Sequence, residues 1–389
     1  MKVGKRLVFG ALVFLSVPLF AQQAPEEHSF TLEETLQEWY EKDRAFDFYI
    51  HLHNSANVYF QQHNYSETSF KTDQLRLELK GELGEGISYN INHRLNSSTR
   101  AAGIDNLSRA TDIAMVRFAL SPELFVTAGK QCLAFGGYEF DQYPIDVYAY
   151  SDLSYHMESF LTGIEFGYKW QEQVFKLQVV NSRTDYVSQI YQNLPQGIKP
   201  SKNPLGATVA WNGSLAAGKI QTRWSYSLFE EAKAQYMHYW AFGTQLKLLD
   251  RVQIQTDAML SNEDLDRKGL GTALINEPGL HEQIATDVLY HSYVVKADFL
   301  LSNRWIFFLK GMHEQLFMPN QQGFASNRVR TSMGYLAGFE YLPAPGLKLF
   351  AVYVGRDYQF ADELAGRADT QVTHTDQVTL GLIYLLQMF

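Results

Sequence analysis

The feature that most constrains the fold is an alternation of apolar and polar residues in segments of strand length, clearest in the last stretch, His374 to Phe389. One parity of this stretch is mostly small or polar, and the other is apolar: Val378, Leu380, Leu382, Tyr384, Leu386 and Met388. Successive side chains of a strand point to opposite faces, so the stretch predicts a strand with one apolar face. A wall between lipid and water requires such a strand, although a soluble sandwich strand has the same pattern.

The N-terminus predicts export. Basic Lys2, Lys5 and Arg6 precede an apolar run that ends before Ala21, so we assign residues 1–21 to a cleavable signal peptide. The run is too short for a membrane anchor, because a spanning helix needs about 20 apolar residues.

A polar leader, residues 22–46, follows the signal. Within it Leu32, Leu36 and Trp39 lie near helical spacing, which predicts a short periplasmic helix before the first strand. From Asp47 onward the period changes from helical to two, and residues 47–389 are predicted to form one β-domain.

Short and long connections alternate along this domain. Seven short turns are predicted at 81–86, 121–123, 170–173, 213–218, 249–251, 302–303 and 343–346. Eight longer polar connections are predicted at 61–70, 97–110, 134–157, 184–204, 229–236, 262–289, 315–330 and 358–372. These connections join sixteen strands, with fourteen or eighteen as alternatives. The predicted fold is therefore all-β, a transmembrane antiparallel β-barrel with both termini in the periplasm and wide enough for an aqueous channel.

Composition agrees with a barrel and excludes some partners. Aromatic residues make up 14% of the chain, and membrane barrels use such rings as girdles at both interfaces. Removing the three basic residues of the signal from 33 leaves 30 against 42 acidic residues, so the mature chain is strongly acidic. This balance argues against nucleic acid as a partner. The single Cys132 excludes an internal disulfide.

Charged residues on the alternating segments are predicted to face the lumen, because Arg or Lys facing lipid at mid-membrane costs about 2–4 kcal/mol. The predicted pore-lining residues are Arg76, Glu78, Arg94, Arg117, Lys130, Glu165, Lys176, Arg223, Lys247, Asp257, Lys296 and Asp298. Lys310, Glu314 and Glu340 share the inward parity. The wall therefore carries charges of both signs.

The segment Gly129 to Asp152 is the most distinctive. It resembles the outer-membrane porins of the phosphate-selective O/P type, in the form found in Bacteroidetes, through a Gly-Lys-Gln motif followed by an aromatic, Gly-rich, acidic loop. The matching residues are Gly129, Lys130, Gln131, Gly136, Gly137, Glu139, Pro144, Ile145, Asp146, Tyr148, Tyr150 and Ser151. The resemblance implies a water-filled homotrimer whose third extracellular loop folds into the lumen and narrows it.

We therefore predict a constriction loop at about 134–157. Its predicted site residues are Glu139, Asp141, Tyr143, Asp146, Tyr148 and Asp152, and the loop contains no Lys or Arg. If this loop lines the narrowest point, the local field is negative, which predicts weak cation preference or little charge selectivity.

The predicted function is passive diffusion of small hydrophilic solutes and ions across the outer membrane. The predicted partners are outer-membrane lipid and the barrel-insertion machinery, which would recognise the C-terminal strand ending at Phe389. One alternative is a channel specific for phosphate or for sugars, the latter guided by Tyr138, Tyr143, Tyr148 and Tyr150. A second alternative is a barrel enzyme or surface scaffold without a pore.

No catalytic site, cofactor or metal is predicted. The chain contains no Gly-x-Ser-x-Gly elbow, no His-Glu-x-x-His helix and no phosphate-binding Gly loop, so an enzyme is not expected. His51 and His53 project from the same face of the first strand, with His63 in the next connection, but a third metal ligand beside them is not evident.

Overall fold

The computed structural model describes residues 46–388 apart from 100–102, 192, 277–282, 322–323, 366 and 368–369. The predicted signal peptide, the leader helix and Phe389 lie outside the described residues. Described residues contain no helix that combines the length and the apolar character needed to cross a membrane.

Sixteen antiparallel strands form one closed barrel, in which each strand pairs with its neighbours in sequence and the last pairs with the first. The strands are β1 Phe46–Gln61, β2 Asn64–Gly84, β3 Ile87–Arg94, β4 Thr111–Ala119, β5 Leu124–Cys132, β6 Phe160–Trp170, β7 Gln173–Asn181, β8 Leu205–Leu215, β9 Ile220–Ala232, β10 Gln235–Leu249, β11 Val252–Leu265, β12 Thr286–Ser302, β13 Trp305–Phe317, β14 Arg328–Ala344, β15 Leu347–Phe360 and β16 His374–Gln387. The predicted fold class and strand count are confirmed.

The predicted C-terminal strand closes the barrel as β16. Its register with β1 runs from Tyr49↔Gln387 to Gln61↔Thr375. Val378 and Leu380 are exposed on the outer face, whereas Thr379 and Ile383 are buried. The alternation read from the sequence is therefore the inside–outside alternation of the wall.

The seven predicted short turns are all present on one end of the barrel. They join alternate strand pairs at residues 85–86, 120–123, 171–172, 216–219, 250–251, 303–304 and 345–346. Gly86, Gly218 and Gly346 occupy positive φ in three of these turns, a conformation that glycine adopts without steric cost.

Two of the eight predicted long connections are wrong. The polar stretches at 61–70 and 229–236 belong mainly to strands, and only the two-residue turns 62–63 and 233–234 interrupt them. Gln62, His63 and Ala234 supply the positive φ angles of these tight turns. β2 has 21 residues, about twice the 9–11 that span a bilayer, so part of it stands in water and needs no apolar face.

Four of the six longer connections carry short helical segments. These are α1 Tyr138–Asp141, α2 Asp152–Tyr155, α3 Val187–Ile190 and α4 Leu270–Ile275, with 3-10 turns at Pro144–Asp146 and Asp362–Leu364. The largest buried apolar cluster lies inside the barrel, between α1, α2 and the walls of β9 to β16.

Gly129 redirects the side chains of β5. Thr127 and Lys130 are both buried, although residues three apart in a regular strand face opposite sides. Gly129 between them has a φ of +116, and a Cβ at this position would lie 2.2 Å from the Ala114 carbonyl oxygen. The glycine therefore allows Lys130 to enter the lumen.

Replacing Gly129 by Ala should destabilise the barrel, by about 1–3 kcal/mol from backbone strain alone. Urea unfolding of the refolded protein measures the loss of stability. The folded fraction at each urea concentration is read from the heat-modifiable migration of the barrel in gels. Gly311→Ala is the matched control, because nothing lies within 4 Å of a Cβ at Gly311. Equal midpoints for the two variants would contradict the assignment.

Candidate functional site

The connection between β5 and β6, residues 133–159, enters the barrel and is called the inner loop below. Its apolar side chains are almost fully buried in the cluster shared with the wall: Leu133, Phe135, Phe140, Ile145, Leu153 and Met157. Across the contact lie inward-facing residues such as Phe229, Met259 and Phe308. The inner loop thus fills one side of the lumen by apolar packing.

Two strand carboxylates bind the backbone of the inner loop. Asp257 on β11 accepts hydrogen bonds from the amides of Tyr138 at 2.6 Å and Glu139 at 2.8 Å. Glu314 on β13 accepts from the amides of Asp152 at 2.7 Å and Leu153 at 3.0 Å. Asp257, which the sequence places on the inner face of the barrel, therefore anchors the inner loop.

Glu139 is the most deeply held acid of the inner loop. Its carboxylate lies 2.5 Å from Lys310 Nζ and accepts from the Ser151 amide at 2.8 Å. Lys310 also donates to the carbonyl oxygen of Ala149 at 2.8 Å. One wall lysine thus joins two turns of the inner loop.

A second lysine holds the middle of the inner loop. Lys348 on β15 lies 2.7 Å from Asp146 and 3.3 Å from Glu340. Tyr148 donates to Glu340 at 2.7 Å, and its ring stacks on Phe308 with centroids 5.3 Å apart. This segment is therefore fixed by charge, hydrogen bonding and ring stacking together.

The other three acids of the inner loop are paired with arginines. Asp152 lies 2.7 Å from Arg330 and 2.6 Å from Arg356. Asp141 lies 2.9 Å from Arg223. Glu158 lies 2.9 Å from Arg267. All five acids of the inner loop therefore have a basic partner, which offsets the negative charge that the loop sequence carries.

The charges of the wall lower the pKa of two buried acids of the inner loop. Burial alone would raise the pKa of Glu139, but the charge and hydrogen bond of Lys310 outweigh it and lower the pKa below 4.5. The pKa of Asp152 likewise lies below 3.8, because Arg330 and Arg356 outweigh the effect of burial. Both groups are therefore carboxylates at neutral pH.

An open cavity of about 740 Å³ lies on the other side of the inner loop, against β2 to β5. Its basic lining residues are Arg76, Arg94, Arg109, Lys130 and Arg267. Its acidic lining residues are Asp112, Asp141, Glu158 and Asp185. The described lining thus carries five basic and four acidic groups, which is close to neutral.

Ion pairs order the cavity wall. Asp112 lies between Arg76 and Arg94, with nitrogen–oxygen distances of 3.1 Å to each. Lys130 lies 3.3 Å from Asp105. Because these guanidinium and ammonium groups have carboxylate partners, they do not create a large local excess of charge.

The other predicted pore-lining residues are distributed along the barrel. Glu165 lies 3.6 Å from both Arg117 and Lys176. Lys296 lies 2.9 Å from Asp298. Lys247 is exposed near the end of β10 that carries the short turns.

Glu78 and the two histidines of β1 form polar contacts. His51 Nε2 lies 3.0 Å from Glu78, and His53 Nε2 lies 3.7 Å from Asp73. Tyr143 of the inner loop donates to Glu78 at 3.2 Å. Both histidines therefore take part in polar contacts of the wall.

The four tyrosines considered for a sugar path are separated. Tyr143 and Tyr150 border the cavity, whereas Tyr148 packs on Phe308 and Tyr138 is buried beside Arg223. They do not form one continuous aromatic surface.

Sequence reasoning missed Asp112, Lys348, Arg330 and Arg356 as partners of predicted site residues. Lys348 and Arg356 lie on inward parity in β15, so their direction was accessible from the alternation. The partners of these two side chains could not be predicted from the alternation, because Lys348 contacts Asp146 and Arg356 contacts Asp152 across about 200 residues of chain.

Comparisons with known proteins agree with this geometry. A family model described as phosphate-selective porin O and P matches residues 46–386. No curated protein sequence matches the chain.

Solved outer-membrane proteins share the fold at low sequence identity. The channel DcaP of Acinetobacter baumannii has a TM-score of 0.57 at 13% identity, covering 89% of this chain and 99% of its own. OmpT of Vibrio cholerae has a TM-score of 0.56 at 10% identity, covering 89% and 99%. A porin of Comamonas acidovorans named anion-selective has a TM-score of 0.54 at 10% identity, covering 88% and 99%.

Replacing Lys310 by Met should loosen the inner loop, because removing one partner of a buried ion pair costs about 3–5 kcal/mol. We expect a larger and noisier single-channel conductance in planar bilayers. Lys219→Met removes an exposed lysine of the short turn between β8 and β9 and should leave the conductance unchanged. An unchanged Lys310→Met channel would mean that the pair does not hold the loop.

Loss of the ion pairs that Glu139 and Asp152 form with the wall should alter the conductance only below about pH 4. Glu139 and Asp152 have lowered pKa values. Their ionised forms therefore stabilise the inner loop fully above the ordinary pKa values of 4.5 and 3.8, and this stabilisation is lost as the pH falls through the lowered pKa values. Conductance recorded during acid titration tests this. In Lys310→Met the threshold should move to higher pH, and a common threshold in both proteins would contradict the role of Lys310.

Proposed function

Because the chain belongs to the phosphate-selective porin O and P family, we propose that small hydrophilic solutes cross its barrel through the cavity between the inner loop and β2 to β5. The observation that carries this proposal is the clamping of the inner loop on the opposite wall by Asp257, Glu314, Lys310 and Lys348. A fixed loop keeps one side of the lumen packed and directs solutes to the other side.

Selection in this path is steric first and electrostatic second. The barrel diameter limits solute size, and the inner loop reduces the cross-section further. The five basic and four acidic lining groups all lie in ion pairs, with one another or with Asp105 and Arg223, so neither sign of charge dominates. We therefore propose little charge selectivity, which is one of the two outcomes predicted from the loop acids.

Passage of oxyanions such as phosphate is a second candidate function. Arg76, Arg94 and Lys130 border the same side of the cavity, and arginine pairs well with planar or tetrahedral oxyanions. An entering oxyanion would compete with Asp112 for the two arginines. This candidate predicts that phosphate reduces the chloride current.

Several finer properties are part of the same proposal. We propose a homotrimer embedded in outer-membrane lipid and inserted through its C-terminal strand; OmpT of Vibrio cholerae, which shares the fold, is known in a trimer form. We also propose a cleavable signal peptide at residues 1–21 and no catalytic activity. The Bacteroidetes-type relationship stays a prediction.

Planar-bilayer recording of the refolded protein under a KCl gradient tests the charge balance. The unmodified channel should give a reversal potential near zero. Asp112→Asn should shift it toward chloride, because Arg76 and Arg94 lose their shared carboxylate. Asp250→Asn, in the exposed turn between β10 and β11, is the control and should not shift it.

Three outcomes would contradict parts of the proposal. No conductance at all would exclude a channel and favour a scaffold or enzyme. Equal reversal potentials in the two Asp variants would exclude the cavity beside Asp112 as the path. Strong block by phosphate would favour the oxyanion candidate over an unselective channel.

A further inference from the structure

A histidine-carboxylate cluster lies outside the proposed solute path, where β1 meets β16 and the barrel closes. His63 lies in the turn between β1 and β2, and His374 and Asp376 lie at the start of β16. One ligand atom from each of these three residues falls within 4.8 Å of the others. Three separate side chains therefore converge at the extracellular end of the closing strand pair.

The turn that carries His63 is held against β16 by its own hydrogen bonds. The Gln62 amide donates to the His374 carbonyl oxygen at 3.0 Å, and the Gln62 side chain donates to the Gln371 carbonyl oxygen at 2.8 Å. The rings of His63 and His374 lie 4.0 Å apart. The position of His63 is therefore defined by the backbone, although its side chain is 77% exposed.

Neighbouring groups orient the other two residues. His374 Nδ1 lies 2.6 Å from Asp357 Oδ1 on β15, and Tyr353 donates to Asp376 Oδ1 at 2.5 Å. These contacts direct His374 Nε2 and Asp376 Oδ2 toward each other, 2.7 Å apart. His63 Nδ1 approaches the same Asp376 oxygen at 3.6 Å.

This arrangement is similar to a metal site in which neighbouring groups, here Asp357 and Tyr353, orient the ligands. Metal-binding histidines commonly give their second ring nitrogen to a carboxylate, which fixes the ring and raises its basicity, as Asp357 does here. Two imidazoles and one carboxylate suit zinc and related transition metals, whereas Ca²⁺ and Mg²⁺ prefer oxygen ligands alone.

We propose that His63, His374 and Asp376 bind one divalent transition-metal ion, with Zn²⁺ as the fitting example. The ion would take the place of the proton shared by His374 Nε2 and Asp376 Oδ2, so binding releases that proton to solvent. The exposure of His63 leaves a fourth position for water. The bound ion would tie the β1–β2 hairpin to β16 across the junction that closes the barrel.

Titration of the refolded full-length protein with Zn²⁺, in competition with a chromophoric chelator, tests the site. We expect one ion per chain and at least about tenfold weaker binding in His63→Ala and in His374→Ala. Asp357→Asn removes a supporting carboxylate, which typically weakens metal affinity about 10- to 100-fold. His291→Ala, on β12 and outside the cluster, is the matched control and should bind as the unmodified protein does.

Co²⁺ loading supplies an independent measurement. A four-coordinate site with two imidazoles gives intense visible absorption, which should disappear in the His63 and His374 variants and persist in His291→Ala. Heat-modifiable migration confirms that each variant forms the barrel. Unchanged Zn²⁺ affinity in the two cluster variants, or no chain-stoichiometric binding, would overturn the proposal and leave an ordinary ion-pair cluster. Neither result bears on conductance, so this test is separate from that of the channel.

Discussion

The structure depends on one requirement: every backbone amide and carbonyl that faces lipid must find a partner within the protein. Sixteen antiparallel strands meet that requirement only when β16 pairs with β1, because an open sheet would leave two unpaired edges in the membrane. The closing register joins residues more than 300 positions apart in the chain. The inner loop and the inward-facing side chains are therefore enclosed by a continuous hydrogen-bonded wall.

Closure creates an interior that polar and charged side chains can enter at low cost. The wall of β9 to β16 nevertheless buries many apolar side chains on its inner face, and the inner loop packs on them. Buried charges at this contact are expensive unless they are paired. The absence of Lys and Arg from the inner loop is therefore matched by the Lys310, Lys348, Arg330 and Arg356 side chains of the wall.

The half of the lumen against β2 to β5 is open and lined by charged groups. The side chains around Asp112, Arg76 and Arg94 carry charges of both signs and border open space. Apolar packing on one side and paired charges on the other divide the lumen into a filled part and an open part. The proposed solute path follows the open part, where charged groups of both signs line the cavity.

Strand count, short turns and the inward direction of charges were predictable because they have local causes. A period of two needs only neighbouring residues, and turns need only a few Gly, Asn or polar positions. The prediction failed where a strand leaves the membrane, at 61–70 and 229–236, because a strand in water has no apolar face to reveal it. Lys130 was predicted to line the pore because it is charged, although its inward direction depends on the φ of Gly129 and not on the alternation.

The sequence by itself thus determined the barrel, its approximate strand boundaries and the existence of an acidic loop after β5. Only the tertiary structure decided what the loop does with its charges. Glu139 meets Lys310 and Asp152 meets Arg356 across 171 and 204 residues of chain. Such partners leave no local pattern, because their proximity arises only when the barrel closes and the inner loop packs within it.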